Sequence, residues 1–166
     1  MGSLVEIAIV SDTHMPRGGR RLPDGCVARL RQADLIVHAG DLCTLAVLSE
    51  LRGHGEVVAV QGNVDDAAVR AVLPLAATVE ADGCRIAVIH DAGTSRGRLE
   101  RMRRAFPEAD AVVFGHSHIP LHETHGDGFQ IFNPGSPTER RRAPHHTMGV
   151  ATVDGGRLRF ELVQLD

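Results

Sequence analysis

The stretch VVFGHSHIPLHE, residues 112–123, runs from a segment suited to a buried strand, through Gly115, to two histidines, His116 and His118. A single histidine at a strand end is commonly a hydrogen-bonded structural residue. Two of them, one residue apart and directly behind a glycine, are aimed at nearly the same point. A pair of imidazoles does not make a metal site by itself. Its meaning depends on what else the chain delivers to that place.

Working outward, four more apolar runs end the same way: LVEIAIV before SDTH, then DLIVHAGD, EVVAVQGN and CRIAVIHD. Asp12 and His14 follow the first, Asp41 the second, Asn63 the third and His90 the fourth. Between the runs, residues 25–32, 44–51, 65–72 and 97–106 have the spacing of amphipathic helices. Short Val- and Ile-rich runs alternating with helices predict a parallel or mixed sheet with helices packed on it. The later chain changes character: Gly126-Asp127-Gly128 and Asp154-Gly155-Gly156 sit between alternating runs and predict hairpins, hence a second, more antiparallel sheet. The expected architecture is one α/β domain over residues 1–166, with two mixed sheets flanked by helices.

In open α/β sheets, ligands gather outside the carboxyl ends of the strands. Five runs thus bring seven metal-competent side chains to one edge: Asp12, His14, Asp41, Asn63, His90, His116 and His118. Gly40, Gly62 and Gly115 accompany three of the turns, where a tight reversal would strain other residues. Taken singly, Asp12 or Asp41 reads as a helix cap, Asn63 as a turn residue and His90 as a satisfied histidine. Seven coincidences at one edge read as a metal centre.

Seven donors exceed the needs of one ion that keeps a water. With Asp41 bridging, they divide into Asp12, His14 and His118 for one ion and Asn63, His90 and His116 for another. The three cysteines, Cys26, Cys43 and Cys84, lie outside the set, which disfavours a thiolate zinc site. Imidazole, carboxylate and amide ligands suit two divalent ions, with Mn²⁺ preferred and Zn²⁺, Fe or Ni²⁺ as alternatives. Two such ions about 3.5–4 Å apart are suited to in-line displacement at phosphorus by a shared hydroxide. Asp41 and Asn63 then act in catalysis as well as in binding.

Composition narrows the remaining choices. The chain has 166 residues, 43% hydrophobic and 23% charged, with a net charge of −3. That argues against general binding to nucleic acid or to anionic membranes. All 18 basic residues are arginine, and there is no Lys, Trp or Tyr, which removes Schiff-base and phenolic chemistry. No apolar stretch is long enough to span a bilayer, and the N-terminal stretch lacks the basic lead of a signal peptide. An odd number of scattered cysteines fits reduced thiols, so a cytoplasmic location is expected. A chain this small with a flat outer layer is a candidate homo-oligomer.

SDTH, the GD of HAGD, the GN of QGNVDD, the histidine of VIHD and GHSH occur in the order found in calcineurin-like metallophosphoesterases. With NPGS at 133–136 followed by an arginine-rich turn, the chain most resembles the small YfcE-type bacterial and archaeal phosphodiesterases. The resemblance implies a four-layer α/β/β/α sandwich, a dinuclear centre with Asp41 bridging, and hydrolysis of a small phosphodiester. Two positions depart from the broad pattern. Val64 replaces a histidine that contacts phosphate, a change common in the small branch, and Asp91 replaces a glycine. A hydrogen bond that orients a neighbouring ligand is the simplest role for Asp91.

Arg17 and Arg140 are candidate phosphate contacts, each weighed against a solvated loop arginine. His38 is assigned to the support of the site or the core, and His54, His122, His125, His145 and His146 to surface or structural roles. The alternative from another class is a non-catalytic metal-binding scaffold, since the same fold occurs in a retromer subunit that binds partner proteins. Retention of all seven donors argues for the enzyme.

Overall fold

The computed structural model describes residues 4–166; residues 1–3, where the N-terminal stretch begins, lie outside them. Its first strand, β1 (Val5–Val10), shows how the layers arise. Successive side chains of a strand point to opposite faces, so Ile7 and Ile9 enter one core and Ala8 and Val10 another. No residue of this strand from Ile7 to Val10 is more than 1% exposed, so the strand is covered on both faces.

Chain order continues with α1 (Asp24–Gln32), β2 (Leu35–His38), α2 (Leu45–Arg52), β3 (Val57–Ala59) and α3 (Ala67–Val72). Next come β4 (Ala76–Ala81), β5 (Cys84–Ile89), α4 (Arg98–Ala105), β6 (Ala111–Val113), β7 (Leu121–Thr124), β8 (Gln130–Asn133), β9 (Thr147–Asp154) and β10 (Arg157–Gln164). Two five-stranded mixed sheets result, ordered β10-β9-β1-β2-β3 and β4-β5-β6-β8-β7. Three cores separate four layers. Leu30, Leu48, Leu51 and Val69 of α1–α3 pack on the first sheet. Ile7, Ile9, Val88, Val113 and Phe132 fill the space between the sheets, and Met102 of α4 packs with Val112, Phe114 and Ile131 on the second. The four-layer sandwich stands as expected.

Three details differ from the sequence reading. The five ligand-bearing runs do not share one sheet: β1, β2 and β3 lie in the first, and β5 and β6 in the second. The β9–β10 hairpin does not extend the second sheet but returns to pair antiparallel with β1. Strand β4, which pairs with β5 from Ala76↔Ile89 to Ala81↔Cys84, went unread. It is an edge strand in which only Val79 is fully buried, so its apolar alternation is faint. The helices fall within two residues of their predicted bounds. The start of α3 shifts because Asp66 caps it, its side chain accepting from the Val69 N–H.

Phe132 lies 1% exposed between the sheets, stacked on Phe160. Gly149 makes room for it: a Cβ there would sit 2.3 Å from the ring. Phe132→Ala is expected to cost about 3–5 kcal/mol, read as a lower denaturant midpoint at unchanged slope. A shift below about 1 kcal/mol would show that the inter-sheet core does not depend on this ring.

Candidate metal centre

Strands β1, β2 and β6 leave their sheets through turns that few side chains tolerate. Asp12, His14, Asp41, His116 and His118 all have positive φ, between 47° and 74°. Such conformations cost energy in a non-glycine residue and persist where the surroundings over-determine them. Five of the seven predicted donors share this feature.

The glycines serve a purpose beyond the one expected. Gly40 does take φ +100°, but Gly62 and Gly115 do not need left-handed backbone. A Cβ on Gly62 would lie 2.2 Å from Asp41 Oδ1, and one on Gly115 would lie 2.0 Å from Ser11 Oγ and 2.5 Å from Asp12 Oδ2. They are glycines because carboxylates press against their backbone.

Each of the two buried aspartates commits one oxygen to the scaffold. Asp12 Oδ2 accepts from Ser11 Oγ at 2.7 Å and from the His116 N–H at 3.0 Å. Asp41 Oδ1 accepts from the Val64 N–H at 2.9 Å. The other oxygens turn inward. Asp12 Oδ1 lies 3.5 Å from His118 Nε2 and 3.9 Å from both His14 Nε2 and His90 Nε2. Asp41 Oδ2 lies 3.5 Å from His14 Nε2 and 3.1 Å from His90 Nε2. Asn63 Oδ1 completes the cluster, 2.9 Å from His90 Nε2 and 3.2 Å from His116 Nδ1.

The imidazoles are oriented from behind. His90 Nδ1–H donates to the Ala39 carbonyl at 2.8 Å, and His118 Nδ1–H donates to the Glu139 carbonyl. In the neutral form of both rings Nε2 is then the bare nitrogen and faces the inward oxygens, the tautomer a metal requires. Among the described residues, Asp12 Oδ1, His14 Nε2 and His118 Nε2 are buried without a hydrogen-bond partner. Buried polar atoms are rarely left so. The ligand atoms of Asp12, His14 and His118 converge within 4.8 Å, as do those of Asp12, Asp41 and His90. Lone pairs and carboxylate oxygens this close need a cation between them, and the donor set fits a divalent metal ion.

The charge state agrees. Burial pushes His14 down, but Asp12, Asp41 and Glu139 outweigh it and raise the imidazole to about 9. Burial likewise opposes and Asp41 and Asp12 raise His90. Asp41 is raised by burial yet held far below the usual carboxylate range by His14 and His90. His14 and His90 are thus drawn toward protonation when no ion is bound, while burial pushes His118 down.

Several supporting residues were not found in the sequence. Asp65, read as a helix start, accepts from the N–H groups of Gly62, Cys43 and Asp41 at 2.6, 2.7 and 3.1 Å, tying the turns after β2 and β3 together. The NPGS segment stitches two further turns. Asn133 Nδ2 donates to the Gly115 carbonyl at 3.1 Å, and Ser136 Oγ to the Asp12 carbonyl at 2.8 Å. Glu139 was passed over inside a charge run. Its Oε2 is buried 3.5 Å from His14 Nδ1, while its Oε1 takes an ion pair from Arg20 at 2.9 Å. The only sequence signal was one acid among arginines directly after NPGS.

Residues 5–156 match the Calcineurin-like phosphoesterase superfamily domain. The chain belongs to this superfamily. It is 33% identical over 160 residues to a probable metallophosphoesterase of Methanothermobacter thermautotrophicus, covering 95% of this chain and 91% of that protein. Vacuolar Protein Sorting 29 from Cryptosporidium parvum has a similar fold, with a TM-score of 0.80 at 18% identity and 97% coverage of both chains. So does wild-type Vps29 from Entamoeba histolytica, described in complex with Zn²⁺, at a TM-score of 0.73, 20% identity, 98% of this chain and 100% of that one.

The positions where this chain departs from the family pattern have definite surroundings. Val64 contributes its backbone N–H to Asp41 in place of a side chain. Asp91 lies 4.0 Å from His116 Nε2 and accepts from the Gly93 N–H, so its carboxylate faces His116. His38 is wholly buried, accepts from the Gly40 N–H and meets Thr13 Oγ1 at 3.0 Å; burial pushes it down to about 4, so it stays neutral. Arg17 is exposed in the 3₁₀ turn Arg17–Gly19. Arg140 is engaged with the Ala143 carbonyl at 2.9 Å, while the charge that reaches His118 is that of Arg141. His122 bonds Gln130, His125 bonds Glu100, Arg31 donates to His54, and His145 and His146 face Asp166. Among the described residues no helix is long and apolar enough to cross a membrane, and all three cysteines are free thiols.

Metal uptake is expected to release protons at neutral pH, because His14 must lose its proton to bind, and affinity should rise as pH approaches about 9. Calorimetry in buffers of different ionisation enthalpy checks this; uptake without proton release would contradict it. Glu139→Ala is expected to weaken metal binding about 10–100-fold with the fold retained by circular dichroism. Unchanged affinity would leave Glu139 as a partner of Arg20 only.

Proposed function

We propose that this chain is a metal-dependent phosphodiesterase that hydrolyses a small phosphodiester at a dinuclear centre. The observation that carries the proposal is the pair of inward carboxylate oxygens, Asp12 Oδ1 and Asp41 Oδ2, each facing several imidazole nitrogens with no hydrogen-bonded partner between the groups of the first cluster. Asp12, His14 and His118 would hold one ion and Asn63, His90 and His116 the other. Asp41 reaches both sets, His14 on one side and His90 on the other, which supports its bridging role. Asp12 also reaches His90, at 3.9 Å, and so stands close to both positions. Bound ions would supply an activated water as nucleophile and neutralise charge on the phosphoryl oxygens.

The chain's own residues do the rest. Buried turns hold the donors in strained conformations, so the geometry exists before substrate arrives. Asn63 and His116 lie at the exposed side of the centre, where an ester can approach. No side-chain nucleophile is required. Manganese is the preferred ion, with zinc, iron or nickel as alternatives that the same oxygen and imidazole donors would accept. The free thiols support a reducing, cytoplasmic setting, and the family match over nearly the whole chain supports a single domain.

The Vps29 likeness keeps a second reading in view: a metal-binding scaffold of the same fold without turnover. One experiment separates the two. Purified protein is stripped with chelator, restored with Mn²⁺, and assayed for metal content and hydrolysis of bis(4-nitrophenyl) phosphate. The enzyme reading expects about two ions per chain, activity lost on chelation and regained with metal, and abolition by Asp41→Ala or Asn63→Ala. Metal uptake with no turnover favours the scaffold. No metal uptake removes both.

A further inference from the structure

An open cleft of ≈ 500 Å³ adjoins the candidate metal centre, and two of the centre's own residues, Asn63 and His90, form its inner end. Gln61 and Asp91 also line it, and Leu75, Ala76 and Ile89 add an aliphatic stretch in which Ala76 and Ile89 are paired across β4 and β5. Leu75 is 73% exposed beside them. An isolated exposed leucine needs no explanation. Here it continues an aliphatic wall that leads directly from the reacting centre. Arg70 closes the cleft, and its guanidinium is held in place by a 2.7 Å hydrogen bond to the Asn63 carbonyl.

We infer that this cleft is a subsite for an ester substituent of the substrate, and that the substituent carries a flat, apolar-faced ring. The inference rests on the phosphodiesterase reading above and adds the substrate class to it. A phosphoryl group at Asn63 and His90 would leave one of its ester groups beside the aliphatic wall. A bare phosphate or a methyl ester would leave Leu75 in water and the wall unused. A ring would cover Leu75, Ala76 and Ile89 with one face or edge and meet the guanidinium of Arg70, a group that stacks on aromatic faces. The cleft combines a few polar groups with one aliphatic patch, as small-molecule sites usually do. A nucleoside or an aryl ester has this form; an inorganic polyphosphate does not.

The test compares phenylphosphonate with methylphosphonate, two non-hydrolysable probes with the same head group, on protein loaded with diamagnetic Zn²⁺. Affinity is read by calorimetry, and the methyl signals of Leu75 and Ile89 are followed by NMR. Phenylphosphonate is expected to bind about tenfold tighter, within the range that small changes in a hydrophobic pocket produce, and to shift both methyl signals. Leu75→Ala, a surface change, should erase that preference and leave methylphosphonate affinity unaltered. Equal binding of the two probes, or a preference that survives Leu75→Ala, would overturn the subsite and leave the phosphodiesterase reading intact. If neither probe binds, the phosphoester reading fails and the subsite with it.

Discussion

Two carboxylates are buried at the meeting point of the two sheets, and much of the structure around them follows from the need to tolerate that. Asp12 is fully buried and Asp41 nearly so. Isolated ionised carboxylates in such a place would be very costly. Each is therefore supported on one oxygen by N–H or O–H donors, with the other oxygen turned toward imidazoles. The same need accounts for the glycines against which the carboxylates press and for the left-handed turns that aim them.

The layers make this arrangement available. Strands β1, β2 and β3 bring Asp12, His14, Asp41 and Asn63 from one sheet, and β5 and β6 bring His90, His116 and His118 from the other. Neither sheet alone assembles the cluster. The inter-sheet core of Ile7, Ile9, Val88, Val113 and Phe132 holds the two halves in register, so packing far from the polar groups sets the distances among them. Cross-links at the carboxyl ends then fix the turns to one another. Asp65 joins two turns of the first sheet, while Asn133 and Ser136 tie the last loop to both Gly115 and Asp12.

Function follows from what is left unsatisfied. The Ala39 and Glu139 carbonyls behind the centre accept from His90 and His118 Nδ1–H, so that Nε2 is the inward, metal-competent nitrogen of each neutral ring. The result is a cluster complementary to divalent cations and open to solvent on the side of Asn63 and His116. On the proposed phosphodiesterase reading, the cleft beside Asn63 would extend that complementarity to the group esterified to phosphorus.

The sequence by itself determined which side chains gather at the candidate centre. Asp12, His14, Asp41, Asn63, His90, His116 and His118 were legible because each directly follows an apolar run, and strand ends are where open sheets gather ligands. It also determined the four-helix, mixed-sheet class, since periodicity is a local property. Tertiary structure alone decided which strands share a sheet. Pairing is long-range: the returning hairpin β9–β10 and the edge strand β4 carry no local sign of their neighbours. It also decided the roles of Asp65, Glu139 and Arg140. Whether a charged loop residue faces the centre, an adjacent turn or water depends on where a distant segment passes, and Arg20 meeting Glu139 across the chain is a contact no spacing in the sequence encodes.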